Sequence, residues 1–186
     1  WNNIISGCTD STAINYNPLV TINDSSCRYQ MTYVPDYFFE QHLEWFGLGD
    51  GIVNNDSVRT SAIDTLTHLD IRHGGIYGSS GISQVAAIND LTGIEDFVSL
   101  VHLELRDNNI TTIDISNSLH LEYLNCFNNQ LTNLDISNNL SLIKLLFSDN
   151  NVDSINLSNN LFIENLYCES NGLSALDVSN MTNLKS

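Results

Sequence analysis

Residues 121–141 read LEYLNCFNNQLTNLDISNNLS. Moved along the chain, this stretch recurs at a fixed step. LVHLELRDNNITTIDISNSLH occupies 100–120, LIKLLFSDNNVDSINLSNNLF 142–162 and IENLYCESNGLSALDVSNMTN 163–183, and Leu184 opens a fifth unit. Self-similarity with a period of 21 residues points to stacked units. A single unit of that size cannot bury its own apolar residues, whereas stacking makes one continuous core.

Aligned as columns, the units explain their residues. The first column is Leu100, Leu121, Leu142 and Ile163, the fourth Leu103, Leu124, Leu145 and Leu166, the sixth Leu105, Cys126, Phe147 and Cys168. The second half continues with Ile110, Leu131, Val152 and Leu173, then Ile113, Leu134, Ile155 and Leu176, then Ile115, Ile136, Leu157 and Val178. Each unit is nearly a doubled decapeptide. It reads as a coil with one strand on the concave side and a second extended segment on the convex side. No stretch leaves room for an ordinary helix. The pattern LxxLxLxxNxL is that of a leucine-rich repeat. The expected fold class is a repeat solenoid with a parallel β-sheet on its concave face, a mostly extended or irregular convex side and an N-terminal capping helix.

The ninth column, Asn108, Asn129, Asn150 and Asn171, is expected to turn inward as a structural ladder. There each amide can bond backbone groups of neighbouring coils that would otherwise lack partners. A second Asn column, Asn117, Asn138, Asn159 and Asn180, runs beside Ser116, Ser137, Ser158 and Ser179 and suits the other turn. Such Asn-rich turns generate sequons, Asn109-Ile-Thr and Asn139-Leu-Ser among them, and glycosylation is not read from them.

Cys126 and Cys168 share the inward sixth column, two units apart. Adjacent strands lie ~4.8 Å apart, so the pair is separated by roughly 10 Å. A disulfide needs Cα atoms within about 7 Å. Both are expected to be buried free thiols acting as small hydrophobes, ahead of a metal-ligand or nucleophile role.

Composition narrows the function. Six Lys and Arg against 22 Asp and Glu give a net charge of −16, which argues against nucleic acid and against anionic membranes. No apolar run approaches the length of a membrane-spanning helix, so no membrane insertion is expected. The chain starts at Trp1, without an initiator Met or a signal peptide, and stops just inside a repeat. The expectation is a processed or excised piece of a longer protein, lacking the polar cap that terminal repeats need.

Four segments are read along the chain. Residues 1–30 form a small module in which Cys8 and Cys27 bracket a loop rich in Asn, Asp, Ser and Thr. With little to make a core, the module needs a staple. A Cys8–Cys27 disulfide would add about 3 kcal/mol through loop-closure entropy and implies an oxidising compartment. Asp10 and Asp24 are candidate calcium ligands, since hard cations take oxygen donors; turn and cap roles compete with that reading. Residues 31–62 are an N-terminal cap with a helix near 36–46, started by Pro35 and Asp36 and ended by Gly47. Phe39, Leu43 and Phe46 make its apolar face, and Glu40, His42 and Glu44 are read as solvated. DGIVNND (50–56) faintly resembles an EF-hand loop, but Phe46 and Leu48 stand where acids belong. Asp50 remains a candidate metal ligand, with Asn54 and Asp56. Residues 63–99 hold irregular early repeats, with Leu66, Leu69 and Ile71 inward and a Gly/Ser-rich insertion near 77–87. His68 and His73 flank Asp70 there, a metal motif short of a third partner. Residues 100–186 are the regular repeats. No cofactor is expected, calcium being the one candidate.

These stretches resemble a known group. The 21-residue units with LTNLDISNN as second half are similar to short leucine-rich repeats of secreted Bacteroidetes proteins. The lead-in YVPDYFFEQHLEWFGLGDG, with HLDIRHGGI and INDLTGIEDFVSL, resembles the N-terminal cap of those proteins. GCTDSTAINYNPLVTINDSSC resembles a Cys-bracketed motif that usually ends DDGSC; here NDSSC replaces it, with Ser25 where the Gly stands. The resemblance implies export through a C-terminal sorting domain and a surface or extracellular binding role. It implies no reaction. Internalin-type repeats are similar by pattern, with a slightly different repeat length.

Strand positions three, five and seven alternate outward on the concave side. They hold His102, Tyr123, Lys144 and Asn165; Glu104, Asn125, Leu146 and Tyr167; and Arg106, Phe127, Ser148 and Glu169. Exposed aromatics mark binding surfaces. The expected ligand-binding residues are therefore Tyr123, Phe127, Leu146, Tyr167, His102, Arg106 and Lys144. No acid/base pair, Ser/His/Asp or Cys/His set, or phosphate loop stands out. The expected function is non-enzymatic extracellular recognition of a protein or glycan, with a structural spacer or accessory domain as the alternative and an enzyme as a distant one. The oligomeric state is left open, since an uncovered strand edge invites another copy.

Overall fold

The fourth column becomes the spine of a sheet. A computed structural model of the chain describes residues 4–73 and 87–185. In it β5 (His68–Asp70), β6 (His102–Glu104), β7 (Tyr123–Asn125), β8 (Lys144–Leu146) and β9 (Asn165–Tyr167) form one parallel sheet in that order. Leu69, Leu103, Leu124, Leu145 and Leu166 stand opposite one another. Parallel neighbours need a long return path. From β6 onward the convex half of each coil supplies it with turns and extended chain, and the described repeats from residue 100 onward contain no helix. The 77–87 insertion falls almost wholly outside the described residues.

The core is the stacked columns. Leu100, Leu121, Leu142 and Ile163, with Leu105, Cys126 and Phe147 from the strand side and Ile110, Leu131 and Val152 from the convex side, are all buried. Burial loosens at the last coil. Leu166, Cys168, Leu173 and Val178 are only partly buried, and Leu176, expected inward with its column, is exposed.

Two polar ladders tie the coils. In the first, Oδ1 of Asn129 accepts from Ile110 N at 3.1 Å, while its Nδ2 donates to Leu105 O and Cys126 O, both at 3.1 Å. Asn108, Asn150 and Asn171 repeat the arrangement one coil away each. The second ladder lies one residue beyond the column expected from sequence. Asn139 and Asn160 are fully buried, in line with Ser118. Asn139 donates to Ile115 O and Ser118 O at 2.9 Å, and Asn160 to Ile136 O and Asn139 O. Asn117 and Asn138 are exposed and make one bond each, to Glu95 O and Ser116 O. β6 to β9 are each followed by a turn at a residue with positive φ just before the ladder Asn: Asp107, Asn128, Asp149 and Ser170. Asn and Asp tolerate that left-handed backbone better than other side chains.

The cap closes the first coil. β3 (Met31–Tyr33) pairs antiparallel with β4 (Ser57–Arg59), and α1 (Tyr37–Trp45) and α2 (Thr60–Ile63) pack beside them. Asp36 does two things at once. Its Oδ1 caps α1 through Phe38 N and Phe39 N, and its Oδ2 accepts from Asn89 N and Asp90 N at the start of the repeats. Phe39 stacks on Phe97 with centroids 6.1 Å apart. Gly47, in left-handed conformation, ends α1 with Gly47 N on Glu44 O and Leu48 N on Leu43 O, the Schellman pattern. Gly93 has φ 103°, and a Cβ there would meet Tyr33 O at 2.6 Å, so β3 can approach only a glycine.

Three expectations for α1 fail. Phe46 is exposed, while Glu40 and His42 are buried. The helix is covered on two sides. Glu40 Oε1 accepts from Asn55 N at 2.9 Å in the following loop, and His42 bonds the backbone of Asp70 on β5. Burial pushes the His42 pKa down to about 4, against the pull of that bond and of the Asp70 charge.

The N-terminal module is held by a parallel pair, β1 (Ser6–Gly7) with β2 (Ile22–Asn23), and by a Cys8–Cys27 disulfide with Cα atoms 4.8 Å apart. Tyr29 links it to the cap. Its hydroxyl donates to Asp10 Oδ2 at 2.7 Å and the Arg59 guanidinium lies 4.0 Å over its ring.

Candidate functional site: the concave face

On a parallel sheet, side chains at one strand position stack one coil above the next. Position three does so closely. His68 and His102 stack at 5.5 Å, His102 and Tyr123 at 4.0 Å with planes 7° apart, and Lys144 Nζ sits 5.3 Å from the Tyr123 ring centre. The faces of these rings are thus taken up by one another. Stacking leaves the ring edges as the open sides, with the Tyr123 hydroxyl turned to Glu104 and His68 Nδ1 on Thr67 Oγ1. Burial lowers the His102 pKa first, and a neighbouring His68 charge lowers it further, against Glu104 and Asp70. Burial, then the Glu104 charge, raises that of Tyr123.

Position five changes character along the sheet. Glu104 and Asn125, expected to face outward, are buried by the long side chains around them. Glu104 accepts from the Tyr123 hydroxyl at 3.1 Å and lies 3.8 Å from Arg106 Nε. Asn125 Oδ1 accepts from Phe127 N. Leu146 is half-buried and Tyr167 is 46% exposed. At position seven, Arg106 also lies 3.9 Å from Asp107, Phe127 is half-buried, and Ser148 donates to Glu169 at 2.5 Å. That bond, then backbone N–H donors, lowers the Glu169 pKa.

β5 contributes to this face and sequence reading passed over it. Its HLDIR (68–72) matches HLELR (102–106) residue for residue in kind. The register pairs His68 with His102 and Asp70 with Glu104, and Arg72 lies 3.4 Å from Asp70. The signal was present in the repeated H-L-acid-aliphatic-R.

The face therefore has two halves. β5 and β6 carry imidazoles, carboxylates and guanidiniums. β7 to β9 carry Tyr123, Phe127, Leu146 and Tyr167.

The remaining candidates are occupied by the protein itself. Asp10 accepts from Thr12 N and Oγ1 and from Tyr29, Asp24 from Ser26 N and Ser6 Oγ, Asp50 from Ile52 N and Asn55 Nδ2. The described residues hold no cluster of three or more His, Cys, Asp or Glu arranged to bind a metal. Cys126 is a buried thiol whose pKa burial pushes up to about 12. Cys168, also expected to be buried, is partly exposed, because β8 is its only partner strand among the described residues. Shallow convex grooves of about 230 and 360 Å³ are lined by the turn residues around Asp114, Asp135 and Asn156. There each of these side chains accepts from the backbone N–H two residues on.

The fold is a leucine-rich repeat solenoid. No protein-family model and no curated protein matches the chain. Among solved structures, it is similar to the functional domain of InlJ from Listeria monocytogenes, which includes a cysteine ladder. Identity is 31%, covering 84% of this chain and 32% of that one, with a TM-score of 0.69. An internalin, InlF, also from Listeria monocytogenes, is 22% identical over 82% of this chain and 48% of its own, with a TM-score of 0.61. The chain thus spans about a third of the first and about half of the second. No described helix is long and apolar enough to cross a membrane.

Proposed function

We propose that the chain is a non-enzymatic recognition module that binds an extracellular protein through its concave face. The observation that carries this reading is the His68–His102–Tyr123–Lys144 stack. A sugar platform offers an open ring face, and Tyr123 has none to offer. A row of polar edges beside Phe127, Leu146 and Tyr167 fits a partner that supplies both hydrogen-bonding groups and apolar side chains, as a protein surface does. Likeness to internalin structures supports protein recognition. The Cys8–Cys27 bond supports an oxidising, extracellular setting, and with it secretion or display at a cell surface of the Bacteroidetes type. In this reading 1–30 is a stapled module, 31–62 the cap, 63–99 the early repeats and 100–186 the regular array.

The test is a binding screen of the chain against extracellular proteins and a glycan array, with and without calcium, beside the Tyr123→Ala/Phe127→Ala/Tyr167→Ala variant. A protein hit lost by the folded variant supports the proposal. Hits confined to glycans overturn the partner class. Binding lost only without calcium redirects the site to Asp10, Asp24 and Asp50. Silence from both proteins favours the spacer reading.

A further inference from the structure

A second surface lies on the flank of the solenoid, where each convex segment turns back toward its strand. Val98, Leu119, Leu140 and Leu161 occupy the same position in four successive coils and are 44%, 54%, 49% and 46% exposed. Scattered exposed leucines are ordinary. These stand in register one coil apart and together make a ridge. Exposed Ile143 and Phe162 widen it. The core does not require the ridge, since the columns before and after it, Ser118, Asn139 and Asn160 and then Leu121, Leu142 and Ile163, are already buried. Turn chemistry does not require it either, because Asn, Ser or Gly would serve there.

We infer that this ridge is an interaction surface for a short amphipathic segment of a partner protein, apolar on one face and rich in Lys and Arg beside it. Charge decides the rim. Exposed Glu122 follows the ridge on the strand side, and exposed Asp114 and Asp135 precede it in the convex segments. Of the six Lys and Arg in the chain, Arg72, Arg106 and Lys144 lie on the concave face. Lys185 is engaged with Glu164, so that pair adds no net charge to the rim, while Arg59 lies over the Tyr29 ring in the cap and Arg28 belongs to the N-terminal module. Size decides the occupant. Four half-exposed aliphatic side chains offer on the order of 300 Å², well under the roughly 800 Å² per partner of a stable dimer. A second copy would also bring its own acidic rim against this one.

The experiment uses a fluorescein-labelled 14-residue peptide with leucine on one helical face and lysine on the other. Its binding to the whole chain is followed by anisotropy. The comparison variants are Leu119→Ser/Leu140→Ser/Leu161→Ser and, separately, Tyr123→Ala/Phe127→Ala/Tyr167→Ala. The expected result is at least tenfold weaker binding for the ridge variant with a melting curve close to wild type, and unchanged binding for the concave variant, which stays folded but is less stable for the loss of the Tyr123–Glu104 bond. Equal binding by the ridge variant overturns the inference, as does equal binding of a scrambled peptide without an apolar face; charge alone would then explain the attraction. A wild-type dimer in sedimentation that the ridge variant disperses also overturns it, by making a second copy the occupant.

Discussion

In the repeats, each buried amide meets a copy of its own coil; in the cap, Glu40 and His42 meet partners that occur once. Asn129 is held by Leu105, Ile110 and Cys126, and Asn150 by the equivalent groups one coil on. Glu40 is held by Asn55 of a loop with no counterpart among the described repeats, and His42 by the backbone of β5. A stack made of copies can be inferred from spacing alone. A junction between unlike elements cannot, because what covers a helix face there is decided by chain far away in sequence.

The largest effect is expected at that junction. Phe39 is fully buried and stacks on Phe97 across the cap and the first coil. Phe39→Ala should cost about 4 kcal/mol, read as a loss in urea midpoint. A cost below about 1 kcal/mol would mean that the cap does not close the core.

Within the array the matching test is Asn129→Ala. It leaves Ile110 N–H without its acceptor, while Leu105 O and Cys126 O keep a neighbouring ladder amide. With the volume lost, about 3 kcal/mol is expected. Asn129→Asp, nearly the same shape, should be no better, because it removes the donor and buries a charge among carbonyls. If Asp is tolerated like Asn, the ladder is not what ties these coils.

Acid separates the two regions next. His42 has an ordinary pKa of 6.5 and a folded value of about 4. As pH falls, the unfolded chain takes up the proton first. The linked stability is therefore intact above about pH 6.5 and is lost as pH drops toward 4, by up to about 3 kcal/mol in all. Half-exposed His102 has the same sign and a smaller share. The Asp10, Asp24, Asp114, Asp135 and Asp177 carboxyls, held low by hydrogen bonds, act only below that window. His42→Gln should flatten the slope between pH 6.5 and 4; an unchanged slope would assign it to another group.

The repeats were legible because identity of column means identity of surroundings: Leu124 had to be buried once Leu103 and Leu145 were. The error of one residue in the second ladder has a local cause. Asn138 and Asn139 are adjacent and alike in sequence, and only the turn decides which points inward. On α1, helical spacing placed Phe46 inward and His42 outward, but α1 packs on β4 and beneath β5 rather than on one flat core. The concave face was half legible. Alternation gave its outward positions, whereas mutual cover, which buries Glu104 and Asn125 and turns the rings of position three edge-on, depends on which long side chains meet across the register. The β5 share was missed because an HLDIR so far upstream of HLELR did not fall on the 21-residue step.

The smallest effect comes from one column that holds the same residue twice. Cys126 and Cys168 share the sixth position, yet Cys126 has coils on both sides, while β8 is the only strand against the coil of Cys168 among the described residues. Burial pushes the Cys126 thiol to about 12, leaving almost no thiolate at pH 8, and raises Cys168 as well but with part of its surface open. Reactivity follows thiolate and access together. The native chain should therefore release about one equivalent of thiol to a disulfide reagent, slowly, and two after denaturation. Cys168→Ala should abolish the native signal and Cys126→Ala should leave it, with stability lowered by about 1 kcal/mol in the second case. If Cys126 reacts first, the coils open more readily in the middle of the array than at its last strand, and position along the stack would no longer set how well a column is covered.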